Sequence, residues 1–129
     1  MPDLRLLLVD DEVDFLRTTA QRLRLRGLDV TTAASGEEAL QIAAAQPVDV
    51  ALIDLAMPGM DGLQTLAKLK ERIPALKVVF LLTGRATIKT GVEALRLGAV
   101  DVLEKPIDVE TLVNALLAAC AAAADGSRE

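Results

Sequence analysis

Short apolar runs alternate five times with segments of helical periodicity, and this rhythm restricts the fold more than any other feature. The apolar runs are predicted strands at Leu4–Val9, Leu28–Ala34, Val48–Ile53, Lys77–Leu82 and Val100–Glu104. After the first run, apolar residues recur at helical spacing at Val13, Leu16, Ala20 and Leu23. Strands that alternate with helices favour a parallel sheet covered by helices on both faces. We therefore predict a three-layer α/β fold.

Residues that begin or stop helices delimit these segments. Ser35 and Glu38 have the spacing of a capping box, which predicts the start of the second helix. Asp108 is predicted to cap the last helix, and residues 57–62 (MPGMDG) to form a loop. Helix stops are predicted at Gly27, Pro47, Pro74 and Gly98. We predict one domain over residues 1–124, with residues 125–129 as a frayed end or the start of a linker.

The composition narrows the range of functions. The chain has no His, which argues against most zinc sites, imidazole bases and Ser-His triads. Its net charge is −5, from 14 basic and 19 acidic residues, so direct nucleic-acid binding is not expected. Cys120 is the single cysteine, which fits a reducing compartment. Because no apolar stretch resembles a signal peptide or a membrane span, we expect a cytoplasmic protein without membrane contact.

Polar residues stand where four of the predicted strands end. Asp10 and Asp11 follow the first strand, Asp54 the third, Thr83 the fourth and Lys105 the fifth. In an open parallel sheet, ligands bind beyond the carboxyl ends of the strands. The sequence therefore predicts that these side chains meet at one edge of the sheet.

Three acids at one edge repel each other unless a cation joins them. Oxygen ligands without His or Cys suit a hard ion, and Mg²⁺ is the usual one where phosphate is also bound. Lys105 would add a positive charge and Thr83 a hydroxyl donor beside Asp54. Since a carboxylate can accept a phosphoryl group, the pattern predicts an aspartyl-phosphate site.

Each of these residues also has an ordinary structural explanation. The adjacent acids after the first strand can cap the first helix, Asp54 and Thr83 can be turn residues, and Lys105 can be a solvated lysine. Their joint occurrence at four strand ends favours a shared site over four separate explanations.

Four stretches that contain these residues resemble the receiver domain of two-component response regulators. They are LLVDDE (7–12), LIDLAMPGMDGL (52–63), LLTGRA (81–86) and GAVDVLEKPID (98–108). The resemblance covers residues 4–120 and implies a flavodoxin-like (βα)5 sandwich with the parallel strand order 2-1-3-4-5. The sequence of residues 83–99 most resembles receivers of the nitrogen-regulation type of transcription activator.

The resemblance implies roles for the acids. Asp54 would be the phosphoacceptor and a ligand of Mg²⁺. Asp11 would bind the ion directly, Asp10 mainly through water, and Ala56 through its backbone carbonyl.

The resemblance also implies roles for the remaining site residues and for partners. Thr83 would bond the phosphoryl group and move toward it, and Lys105 would pair with a phosphoryl oxygen, ahead of a cis peptide to Pro106. The donor would be a phosphohistidine on a sensor histidine kinase or histidine phosphotransfer protein. This chain has no His and is not that donor.

Three positions near the site bear on the readout and the lifetime of the phosphate. Family members usually carry Tyr or Phe three residues before the lysine, where this chain has Val102. Since Val has no large ring to relocate, we predict a switch carried by Thr83 and residues 84–90 alone. Ala56 leaves room for an attacking water. Arg85 either shields the phosphoryl group, attracts a partner's acids or is simply a solvated surface residue.

Partner surfaces are predicted on the fourth helix, the fifth strand and the last helix. The last helix has little polar surface among Val109, Leu112, Val113, Leu116, Leu117 and Cys120. One stripe is expected to pack on the sheet. The remainder faces a second copy or an output domain, or else reflects an excess of helix-favouring Ala.

Two other functions share parts of the pattern. A Mg²⁺-dependent phosphatase of the haloacid-dehalogenase type also uses Asp, Thr and Lys. It needs a DxD pair after the first strand, however, whereas here the acids are adjacent and no cap insertion is present. A flavodoxin-like electron carrier needs a phosphate loop and flanking aromatics, and neither is present. The predicted function is a phosphoacceptor module, not an enzyme, that switches a partner or output domain.

Overall fold

Five parallel strands form one sheet in the order β2-β1-β3-β4-β5 in the computed structural model, which describes residues 4–126. The strands are β1 (Arg5–Val9), β2 (Asp29–Ala33), β3 (Val50–Asp54), β4 (Val78–Thr83) and β5 (Asp101–Glu104). The predicted order 2-1-3-4-5 is confirmed. The strand order reverses between β1 and β3, so the crevice for a ligand is expected at their carboxyl ends.

Helices cover both faces of the sheet. They are α1 (Val13–Leu25), α2 (Gly36–Ala45), α3 (Gly62–Arg72), α4 (Ile88–Arg96) and α5 (Val109–Gly126). One buried apolar cluster joins the sheet to α1 and α5, and a second joins it to α2, α3 and α4. The predicted three layers are therefore confirmed.

The strands read as continuous apolar runs because both of their faces are buried. In β1, Leu6 and Leu8 belong to the cluster under α1 and α5. Leu7 and Val9 belong to the cluster on the opposite face. This arrangement is typical of parallel sheets, in which each strand loses its polar face.

Side-chain caps fix where four helices begin, and the cap of α4 is Thr87, which accepts from the Thr90 N–H at 3.1 Å. Asp108 accepts a hydrogen bond from the Thr111 N–H at 3.1 Å, as predicted. Ser35 accepts from the Glu38 N–H at 3.1 Å, but the Glu38 carboxylate accepts from Ala34, so the predicted capping box is not reciprocal.

A complete capping box starts α3 instead. Asp61 accepts from the Gln64 N–H at 2.9 Å, and the Gln64 side chain accepts from the Asp61 N–H at 3.1 Å. Its D-x-x-Q signature begins at the end of the predicted loop, so this capping box could have been predicted from the sequence. The box anchors α3 directly after the loop that follows Asp54.

The C-terminal helix continues beyond the predicted boundary at residue 124, through Gly126. Residues 127–129 of the predicted frayed end, like residues 1–3, lie outside the described residues, so the domain boundary stays a prediction. Within residues 4–126, none of the helices combines the length and the apolarity needed to cross a bilayer.

Candidate functional site

The residues predicted to meet at one edge do lie at the carboxyl ends of four strands. Asp54 and Thr83 are the last residues of β3 and β4, instead of the first residues after them. Asp10 follows β1, and Lys105 follows β5. The Lys105 N–H donates to the Thr83 carbonyl at 2.7 Å, which continues the β4–β5 ladder into the site.

Three carboxylates lie close enough together to share one ion. Asp10, Asp11 and Asp54 each offer an oxygen, and these oxygens lie within 4.8 Å of one another. Asp10 and Asp54 are buried, whereas Asp11 is exposed. A donor set made only of carboxylates suits a hard cation, so the triad is able to bind a metal ion.

The Lys105 ammonium reaches into the same acidic cluster. Its Nζ lies 2.7 Å from Asp10 and 3.5 Å from Asp54. It also lies 3.4 Å from Glu12, which was not among the predicted site residues. Glu12 could have been predicted, because it directly follows Asp10 and Asp11 in the LLVDDE stretch. The peptide bond between Lys105 and Pro106 is cis, as the resemblance implied.

Burial and neighbouring charge disfavour the ionised form of Asp54. Burial raises the pKa of Asp54 to about 6, and the charge of Asp10 adds to this effect while Lys105 opposes it. Burial alone lowers the pKa of Lys105, but its hydrogen bond to Asp10 and the surrounding carboxylates outweigh that effect and raise it. Lys105 is therefore a fixed positive charge at neutral pH.

Thr83 is buried at the site, but its hydroxyl is engaged elsewhere. The hydroxyl oxygen accepts from the Arg85 N–H at 3.2 Å and lies 3.3 Å from the Arg85 carbonyl, to which it can donate. A side chain of β5 holds the same segment, because Glu104 accepts from the Ala86 N–H at 2.9 Å. A change of partner at Thr83 therefore disturbs the start of the segment between β4 and α4.

The remaining predicted positions surround the acids. Ala56 is exposed in the segment that follows β3. Arg85 is exposed between β4 and α4. Val102 is half-buried in β5 and packs against the apolar cluster under α2, α3 and α4. Of the predicted loop 84–90, residues 88–90 form the first turn of α4.

A doubly wound parallel sheet with three acids, a lysine and a threonine at its carboxyl edge defines a class of protein, the phosphoacceptor switch module. Residues 6–117 match the family described as the response regulator receiver domain. The chain belongs to this family, which carries a phosphoacceptor and is not an enzyme in the ordinary sense. The resemblance read from the sequence is thereby confirmed.

Two curated regulators show the level of similarity. The chain is 41% identical over 116 residues to the photosynthetic apparatus regulatory protein RegA of Cereibacter sphaeroides, covering 90% of this chain and 62% of RegA. It is 39% identical over 116 residues to a putative NtrX-like response regulator of Rickettsia bellii, covering 88% of this chain and 24% of that protein. The chain thus spans less than two thirds of these relatives.

A solved structure places a phosphoryl group in a relative. A response regulator from Burkholderia pseudomallei, with a phosphorylated aspartic acid, a calcium ion and citrate, superposes with a TM-score of 0.83. It is 33% identical in sequence, and the match covers 97% of this chain and 73% of that one.

Proposed function

We propose that Asp54 is the residue of this receiver that takes up the phosphoryl group. Asp10 and Asp54 are both buried in the acidic triad, 2.7 and 3.5 Å from the Lys105 ammonium. One observation carries the proposal: the two oxygens of Asp10 already accept hydrogen bonds from the Glu12 N–H and from Lys105, whereas Asp54 ends β3 beside that pair. The phosphorylated aspartic acid and the calcium ion in the Burkholderia pseudomallei relative support the same chemistry. Mg²⁺ is the proposed ion, held by Asp10, Asp11, Asp54 and the Ala56 carbonyl.

The transfer is a displacement at phosphorus. A carboxylate oxygen of Asp54 forms the new P–O bond as the bond from phosphorus to the donor breaks, and the donor leaves with the bonding electron pair. Lys105 pairs with a phosphoryl oxygen and stabilises the charge that collects there. Mg²⁺, when bound, offsets the charge of the acids and of the transferring oxygens.

A histidine kinase partner follows from the family, and the rest of the pathway is part of the proposal. The donor is a phosphohistidine of a sensor kinase or a phosphotransfer protein, and this chain contains no His. The relatives named RegA and NtrX-like are regulators, which supports a role in signal transduction. The proposed compartment is the cytoplasm. Arg85 and Ala56 are exposed beside the site, where they are placed to tune the lifetime of the phosphate.

The proposal also includes a surface for a second copy or an output domain. Large apolar side chains are exposed along α4, where Ile88 is 88% exposed and Val92 and Leu95 are also exposed. On α5, Leu117 is exposed while Leu116 is buried. These helices flank β5, so the surface adjoins the segment after Thr83.

Incubation with acetyl phosphate and Mg²⁺ tests the proposed function. We expect a single adduct of about 80 Da by intact mass spectrometry, because one carboxylate accepts one phosphoryl group. The adduct is expected to fall to background when EDTA replaces Mg²⁺. Steady turnover of a generic phosphate ester, without an adduct, would instead favour the phosphatase alternative.

The switch without an aromatic ring has its own test. In complex with Mg²⁺ and beryllofluoride, the Thr83 hydroxyl is expected to leave the Arg85 backbone and turn toward Asp54. Residues 84–87 are expected to move with it, while Val102 keeps its rotamer because a Val side chain has few alternatives. Crystal structures of the free and beryllofluoride-bound protein would measure this. An unchanged segment 84–87 contradicts the proposal.

A further inference from the structure

The Lys105 ammonium lies over an aromatic ring as well as beside carboxylates. Its Nζ is 4.3 Å from the centroid of the Phe15 ring. A cation at this distance is attracted by the negative face of the ring. Phe15 lies in the first turn of α1, is half-buried and packs against the apolar cluster under α1 and α5. The chain has two Phe and no Trp or Tyr, so such a contact is not a consequence of abundant aromatics.

Carboxylates alone leave the ammonium with several competing positions. Oxygens of Asp10, Glu12 and Asp54 lie 2.7, 3.4 and 3.5 Å from Nζ, and the shortest contact is not to the proposed acceptor. The ring contact is made while the ammonium is paired most closely with Asp10. It also restricts the flexible stem of the lysine.

We propose that Phe15 is a positioning residue whose ring holds the Lys105 ammonium beside the acceptor carboxylate for phosphoryl transfer. The inference rests on the proposed role of Lys105 at the phosphoryl group. A charge that is already in place needs no reorganisation when negative charge develops on the transferring oxygens. Phe15 acts through Lys105, and no contact of the ring with the transferred group is required.

The test must keep the volume of the ring, because Phe15 also lines an open groove of about 370 Å³ together with Thr18, Arg22 and Ile107. Site-specific incorporation of phenylalanines with one, two and three fluorines meets this need, since fluorine withdraws electron density and largely keeps the shape. The rate constant of phosphorylation by acetyl phosphate with Mg²⁺ is expected to fall with each fluorine, by about three- to tenfold in total.

Phe80 provides the matched control. It is buried in β4, in the same apolar cluster, and the same fluorinated residues there are expected to leave the rate constant unchanged within about twofold. Phe15→Leu is expected to lose about as much as the trifluoro residue, and Phe15→Tyr to stay within about twofold of the unmodified protein. A purely structural role for Phe15 predicts no ordering by fluorine.

A second measurement reports the contact without any phosphoryl donor. In the metal-free protein, the ε-methylene protons of Lys105 are expected to show an upfield ring-current shift by NMR, and Phe15→Leu to remove it. Absence of this shift, or equal losses of rate at positions 15 and 80, would overturn the inference. An unmodified protein that takes up no phosphoryl group contradicts the proposed function instead, so the two failures are distinguishable.

Discussion

Replacing Asp54 with Asn is expected to abolish phosphorylation by acetyl phosphate. An amide has nearly the shape of the carboxylate but lacks the nucleophilic oxygen, so the adduct of about 80 Da should disappear from the mass spectrum. The fold is expected to persist, because Lys105 keeps its 2.7 Å contact with Asp10. The rate of adduct formation should drop to the detection limit of the assay.

Asp29→Asn is the matched control for that variant. Asp29 begins β2 at the opposite edge of the sheet and is exposed, so its replacement is expected to leave the adduct intact. An adduct that survives in Asp54→Asn would contradict the assignment and point to Asp10 or Asp11 as the acceptor.

Asp54→Asn has a second readout, which is the pH dependence of the free energy of unfolding in the absence of metal. The pKa of Asp54 is raised to about 6 in the folded protein, from 3.8 as its ordinary value. The folded state therefore holds more protons between these values, and the stability of the unmodified protein falls as pH rises through this window. Above pH 7, Asp54→Asn should be more stable by about 1–3 kcal/mol, and the gap should close below pH 4.

Urea denaturation with a chelator present, at several pH values, would measure this difference. A gap that does not change between pH 4 and pH 8 would show that burial of the Asp54 carboxylate carries no net penalty. Added Mg²⁺ is expected to stabilise the unmodified protein more than the variant, since ions that bind only the folded state shift the equilibrium toward it.

Gly62→Ala is expected to lower the free energy of unfolding by about 2–4 kcal/mol. A Cβ at Gly62 would lie 2.5 Å from the Asp54 carbonyl oxygen and 2.6 Å from the Leu55 Cα. These are backbone atoms that cannot turn away, so α3 must shift from the segment that carries Asp54. The rate of phosphorylation should fall together with the stability.

Gly91→Ala is the matched control because it also lies in a helix but faces open space, with nothing within 4 Å of an added Cβ. It is expected to be neutral or to stabilise by up to about 1 kcal/mol, since Ala favours helix more than Gly does. Thermal or urea unfolding of both variants would measure the contrast. Equal effects would mean that the close approach at Gly62 is readily relieved.

Much of the fold was predictable because its signals are local. Apolar runs bounded by turn residues and helical spacing depend on neighbours in sequence, so all five strands and five helices were found with small errors at their ends. Two of these errors concern the site and have a physical cause. Asp54 and Thr83 were predicted to follow their strands because their side chains are polar, but their backbones still pair with the neighbouring strand.

The sequence by itself determined which residues meet, because parallel strands carry their carboxyl ends to one edge wherever they lie in the chain. Only the tertiary structure decided how they meet. Lys105 pairs most closely with Asp10, 95 positions away, and lies over Phe15, while Thr83 bonds the Arg85 backbone. Such contacts depend on rotamers and on packing between distant elements, which no local pattern encodes. The presence of a phosphoacceptor site was therefore readable in the sequence, and the arrangement of charge within it was not.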